Sequence, residues 1–216
     1  MIIALNGYAG SGKDTVGNIL QYLSTKNPNP QTTLKEVLEN PIEHQWWLKE
    51  RSNWEIKKWA GKLKQIASIL TNIKITKFED QEFKKSTLGI EWGEMSVREF
   101  LQKLGTDGLR NGLHSNVWVN ALMSEYVINK EHFNDIANGR EVGDGYPNWV
   151  VTDTRFPNEA EAVKQKGGIV VRVNRNGVKP VNSHPSEVGL DNWAFDHVIE
   201  NNGSIEDLIE KVKAIL

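Results

Sequence analysis

The residues best suited to do chemistry lie near the start of the chain, where Gly7-Tyr8-Ala9-Gly10-Ser11-Gly12-Lys13 has the spacing G-x-x-x-x-G-K. Glycines let consecutive backbone N–H groups curl around phosphate oxygens, and a helix starting at the end of the loop adds partial positive charge. Lys13 then offers an ammonium to the β and γ phosphates. The next residue is Asp14, where this motif asks for Ser or Thr to hold magnesium, and the hydroxyl arrives one place later at Thr15. Asp14 has two readings. It reaches magnesium through water or takes a proton from an attacking group, or it only complements the helix N-terminus. Thr15 is placed for an α or β phosphate.

Other chemistries find little support. The chain of 216 residues has no cysteine, which excludes disulfides, thiolate zinc, iron–sulfur clusters and a thiol nucleophile. His44, His114, His132 and His197 lack metal-ligand spacing. His184-Pro185-Ser186-Glu187 has no partner residue that would make it a hydrolase triad. A formal net charge of −2 argues against general binding to nucleic acid. No run reaches the roughly 18 apolar residues of a membrane span, and Met1–Leu5 is too short for a signal peptide, so a cytoplasmic protein without a membrane partner is expected.

The elements that must position the loop are legible from periodicity. Ile2-Ile3-Ala4-Leu5 reads as a strand buried on both faces, and Val16, Ile19, Leu20 and Leu23 recur at helical spacing after the loop. Asn27-Pro28-Asn29-Pro30 stops that helix. Residues 26–54, with Trp46, Trp47 and Trp54, form a Trp-rich insertion with no convincing period. Glu55–Ala60 reads as a strand, Leu63, Ile66, Ala67 and Leu70 as a helix face, and 73–95 lacks a period. Ser96-Val97-Arg98-Glu99 has capping-box form before a helix ending at Gly105, and a further helix spans Asn116–Ile128. Residues 134–148 read as a surface loop. In the last third, strands at 149–153, 169–173 and 197–199 alternate with a helix from Asn158, with Glu161 three residues on, and a closing helix capped by Ser204. Such alternation predicts a parallel sheet covered on both sides.

With these motifs in hand, Gly7–Thr15, as G-x-x-x-S-G-K-D-T, resembles the P-loop of phage-type deoxynucleoside monophosphate kinases. Ser96-Val97-Arg98 followed by Leu104-Gly105-Thr106-Asp107 is similar to that family's S-V-R and L-G-T-D, and Val151-Thr152-Asp153-Thr154-Arg155 to its strand ending in D-T-R. The resemblance implies a P-loop NTPase fold of three layers with a five-stranded parallel sheet, one domain over 1–216, and helical acceptor-binding insertions over 73–130. It implies ATP and Mg2+ as cofactors and a deoxynucleoside monophosphate as acceptor. Gly7, Gly10, Ser11, Gly12, Lys13, Asp14, Thr15 and Arg175 would hold the nucleotide, with Asp14 and Thr15 toward the metal. Lys64, Arg98, Gly105, Thr106, Arg110, Trp118, Asp153, Arg155 and Glu159 would hold the acceptor. Lys13, Asp14, Arg98 and Arg155 would carry catalysis.

Arginine suits the acceptor's phosphate through its planar fork, and Asp153 ends a strand where open α/β sheets place their ligands. Three readings of the insertion stand open: it covers the acceptor site, packs a homodimer, or does neither. Two alternatives stand beside the kinase reading: a P-loop kinase for another small phosphorylated metabolite, and a nucleotide-dependent switch or accessory ATPase acting through a partner.

Overall fold

In a computed structural model of the chain, the described residues are 1–25, 33–129, 137, 144–181 and 183–216. They divide into two compact units, Met1–Lys58 with Tyr126–Leu216, and Trp59–Glu125. The first unit holds a five-stranded parallel sheet: β1 Ile2–Asn6, β2 Trp54–Lys57, β3 Asn148–Val151, β4 Ile169–Asn174 and β5 His197–Glu200, in spatial order β2-β3-β1-β4-β5. β1 is central, so all five of its residues are buried, which is why it is apolar without alternation.

Side-chain alternation along β1 sorts the layers. Ile3 and Leu5 pack with Val16, Ile19 and Leu20 of α1 (Lys13–Leu23) and with Leu208 and Val212 of the C-terminal helix Ile205–Lys213. Ile2 and Ala4 therefore face the other side, toward the helix Pro157–Gln165, which packs on β1 and β4. The product is a three-layer α/β sandwich. Ser204 caps the closing helix as expected, accepting from the Asp207 N–H at 3.2 Å.

Two local expectations change. Most of the described insertion is helical: α2 Leu34–Glu39 is capped by Thr33 in a reciprocal box with Glu36, and α3 Pro41–Arg51 begins on Pro41 itself. Proline at a first helical position loses no hydrogen bond, so a residue that interrupts the sequence pattern starts a helix. The helix after β3 starts at Pro157, and Glu159, not Glu161, supplies its cap. Asn27–Pro30 and most of the 134–148 loop lie outside the described residues.

The second unit is helical. α4 Gly61–Thr71 is followed by single 3-10 turns at Ile75–Glu79, Phe83–Lys85 and Ile90–Trp92, which explains the missing period over 73–95. Next comes α5 Val97–Gln102, capped by Ser96, whose hydroxyl accepts from the Glu99 N–H at 3.1 Å. The helix does not stop at Gly105. It widens into a π-helix, Lys103–Asn111, before α6 Val117–Met123, which is shorter than its apolar pattern suggested. The core of this unit joins Ala67, Phe78, Val97, Phe100 and Leu101, with Trp92 edge-on to Phe100 at 5.0 Å. The remaining helices of the first unit are numbered α7 (Pro157–Gln165), α8 (Pro185–Val188) and α9 (Ile205–Lys213).

Candidate functional site

The glycine loop joins β1 to α1 and is held from three sides. A Cβ on Gly7 would collide with the Val173 carbonyl oxygen and the Ser11 hydroxyl. Gly12 caps α1 at φ 100°, a left-handed conformation in which a Cβ would also strike the Asn201 amide. That amide donates to the Ser11 carbonyl at 2.9 Å, so the chain after β5 fixes the loop's curvature. The Ser11 hydroxyl is buried and, among the described residues, has no hydrogen-bond partner. An orphaned polar atom inside a phosphate-type loop is a group waiting for an acceptor.

Lys13 folds over the loop and donates to the Tyr8 carbonyl at 2.9 Å. Its ammonium is pulled down to about 8, first by burial and then by the Arg155 guanidinium, while Asp14, Glu187 and Asp153 oppose the shift. The ammonium is thus held largely out of water, where a bound polyanion would favour its charged form. Asp14 is exposed, with one carboxylate oxygen accepting from the Thr152 hydroxyl at 3.1 Å and lying 3.4 Å from the Lys58 ammonium.

Beyond β3 the backbone hooks back to β1, the Thr154 N–H donating to the Leu5 carbonyl at 3.1 Å and the Asn6 amide donating to the Thr154 carbonyl at 2.7 Å. This places Asp153 and Arg155 at the mouth of the loop strand, and both act electrostatically on Lys13. Glu159 is 2% exposed, and it accepts from the Arg155 N–H at 2.8 Å and the Phe156 N–H at 3.1 Å. Its carboxylate therefore fixes the backbone of Arg155. Arg175 is exposed at a turn after β4.

Several site-shaping residues carry no local motif. Arg172 on β4 donates to Asn6 at 2.5 Å, to Asn174 at 3.1 Å and to Asp191 at 3.3 Å, and its guanidinium lies 4.6 Å from the Tyr8 ring centroid. The Tyr8 hydroxyl donates to the same Asp191 oxygen at 2.8 Å. These contacts tie the loop to the Asp153–Arg155 segment through Asn6. A parallel register pairing Asn6 with Arg172 brings them together, and no sequence spacing announces it.

In the second unit, the Lys64 ammonium is buried against Glu79 at 2.5 Å, and Arg110 is buried with Nη1 donating to the Ser115 carbonyl at 3.2 Å. Trp118 is 5% exposed and donates its indole N–H to the Gly105 carbonyl at 3.0 Å. Gly105 packs so near Leu63 that a Cβ would lie 2.8 Å from it. These groups organise the π-helix, on which Thr106 is half-buried. Arg98, half-buried, makes one long contact to Gln81 at 3.5 Å.

A strand order of β2-β3-β1-β4-β5 with a phosphate-type loop after β1 is that of a P-loop α/β fold. The family model for deoxynucleotide monophosphate kinase matches residues 56–212, and the chain belongs to that family. It is 35% identical over 123 residues to the deoxynucleotide monophosphate kinase of Enterobacteria phage T4, covering 57% of this chain and 46% of that one. The deoxynucleoside-5'-monophosphate kinase of Escherichia phage T5 is 26% identical over 240 residues, covering 93% of this chain and 89% of its own. A putative deoxynucleotide monophosphate kinase of Acanthamoeba polyphaga mimivirus is 28% identical over 174 residues, covering 77% and 84%. The matched region spans about half the length of the T4 relative. The glycine loop precedes the family match, so its assignment rests on its own spacing and geometry. Among the described residues, no helix is long and apolar enough to cross a membrane.

Proposed function

We propose that this chain moves the γ-phosphoryl group of ATP to a deoxynucleoside 5′-monophosphate, giving ADP and the diphosphate. The observation that carries this reading is the convergence on Lys13 of the loop, Asp153 and Arg155, a cationic pair and a carboxylate at the C-terminal end of a parallel sheet. Phosphoryl transfer between two polyanions needs little covalent chemistry from the protein; it needs positive charge along the in-line path and fixed geometry.

The loop amides would cradle the donor phosphates, the Ser11 hydroxyl would gain the partner it lacks, and Lys13 would turn from the Tyr8 carbonyl to the β and γ oxygens. Arg155 and Arg98 would grip the acceptor phosphate, whose oxygen is already a competent nucleophile. Thr106 and the π-helix that Gly105, Arg110 and Trp118 organise would line the acceptor pocket, and Lys64, paired with Glu79, would add positive charge to it. Arg175 remains a nucleotide contact in this scheme.

Among the described residues no three acidic or histidine side chains gather as a metal cage. The donors present, Asp14 and the Thr15 hydroxyl, fit a Mg2+ ion that arrives on the nucleotide and keeps most of its waters. Such an ion supplies charge neutralisation at the phosphates. This chain's part is to orient Asp14 through Thr152 and Lys58.

The test is ADP release from Mg·ATP with each deoxyribo- and ribonucleoside monophosphate in turn against a blank without acceptor. Stimulation by one or more deoxynucleotides, lost in Lys13→Ala and Arg155→Ala, supports the reading. Turnover that no monophosphate changes replaces it with a nucleotide-dependent switch or a kinase for another metabolite.

A further inference from the structure

Glu187 has no role in the scheme above, yet its side chain is only 4% exposed. A buried carboxylate is costly unless a cation or hydrogen bonds meet it. Arg155 meets it. Nη1 of Arg155 donates to Glu187 Oε1 at 2.9 Å and to the Ser186 carbonyl at 3.2 Å.

The segment that presents both acceptors is itself anchored. Pro185 opens α8, and the His184 ring nitrogen Nδ1 accepts from the Ser186 N–H at 3.2 Å and lies 2.8 Å from its hydroxyl. At the other end of the helix, Gly189 packs so close to the Arg155 backbone that a Cβ would lie 2.8 Å from the Arg155 carbonyl oxygen. Arg155 is therefore held at its N–H by Glu159, at its carbonyl by close packing, and at one guanidinium nitrogen by Glu187.

The remaining edge is informative. Among the described residues every hydrogen bond of the Arg155 side chain is made by Nη1, and the side chain stays 42% exposed. Nε and Nη2, the edge that grips a phosphate with two parallel bonds, carry none of them. We propose that Glu187 is a positioning residue that clamps Nη1 so that the Nε–Nη2 edge of Arg155 is presented to the acceptor's phosphate. This rests on the reading in which Arg155 binds that phosphate.

The test uses the full chain as wild type, Glu187→Gln, Glu187→Ala, Arg155→Ala and the Arg155→Ala/Glu187→Ala pair, with thermal unfolding as the folding check. Diphosphate formation is measured against acceptor concentration, and the affinity of a non-hydrolysable ATP analogue at pH 7. The clamp predicts that Glu187→Ala lowers kcat/KM for the acceptor at least tenfold, leaves analogue affinity at pH 7 within threefold, and adds less than twofold in the Arg155→Ala background. Glu187→Gln, which keeps a neutral acceptor at the same place, recovers part of the loss. Should Glu187→Ala unfold, Glu187→Gln carries the test alone. An active wild type in which the two substitutions multiply independently, or in which Glu187→Gln leaves acceptor kcat/KM unchanged, overturns the clamp. A wild type that makes no diphosphate from any monophosphate overturns the reading beneath it.

Discussion

The two units meet charge in opposite ways. In the sheet unit, polar groups around the glycine loop are fixed by partners on other elements yet keep open functions: among the described residues, Lys13 rests on a single backbone carbonyl, the Ser11 hydroxyl is buried without a partner, and Arg155 is bonded along one edge. In the helical unit, Lys64 and Trp118 use their polar nitrogens on Glu79 and the Gly105 carbonyl, Arg110 is buried with Nη1 on the Ser115 carbonyl, and Arg98 makes one contact at 3.5 Å among the described residues. The first arrangement is preorganised for a polyanion. The second builds a scaffold that presents one arginine. Electrostatic catalysis asks for this division, because donors fixed before substrate arrives need not reorganise during transfer.

The largest effect should come from Lys13→Ala, with a loss of about 100- to 1,000-fold in kcat/KM for the nucleotide, as for removal of one preorganised donor. Steady-state kinetics beside an unfolding scan checks it, and a near-normal rate would erase the contrast between the units. Arg98→Ala should raise acceptor KM about 10- to 100-fold, on the scale of a charge-assisted pair. Its unfolding free energy should move by only about 0.5 kcal/mol, because it is a surface substitution.

Trp118→Phe should do the reverse. It leaves the Gly105 carbonyl without its indole donor and should destabilise the chain by about 1–3 kcal/mol in denaturant titration. A tenfold rise in acceptor KM at unchanged stability would instead make Trp118 a substrate contact and sharpen the pocket's outline.

The smallest effect is a protonic one. Lys13 titrates near 8 in the free protein, and bound phosphates push it back up. Below pH 8 it is already charged and binding takes up little proton. Between 8 and the raised value of the complex, binding takes up a proton and affinity falls as pH rises. For folding the sign is opposite: with an unfolded value of 10.5, the unfolded chain binds more protons between 8 and 10.5, so this group's penalty fades as pH rises through that window. Calorimetry of ATP-analogue binding at pH 8.5 in buffers of different ionisation enthalpy should show proton uptake, absent at pH 6.5 and in Lys13→Arg.

Legibility in the sequence followed the range of the interactions. The loop, β1, α1 and the closing helix are local patterns, where apolar period, glycine spacing and the Ser204 cap suffice. The π-helix was not legible, since Gly105 looks like a stop until Trp118 and Leu63 are seen to support it. The start of the helix after β3 was not legible either, because a cap depends on which backbone groups lie beside a carboxylate, and Glu159 rather than Glu161 meets them. Arg172, Asn6, Tyr8 and Asp191 form one network only because parallel pairing sets β1 beside β4, a contact across 166 positions of chain. Glu187 was visible as part of H-P-S-E, but its partner Arg155 lies 32 residues away.

The most direct test of the central claim follows the phosphorus itself. Wild-type protein is given ATP labelled at the γ position, magnesium and a mixture of deoxynucleoside monophosphates, and the label is resolved chromatographically. The account predicts label in the β position of a deoxynucleoside diphosphate, abolished in Lys13→Ala; label found as inorganic phosphate alone, at a rate that no monophosphate alters, would contradict it.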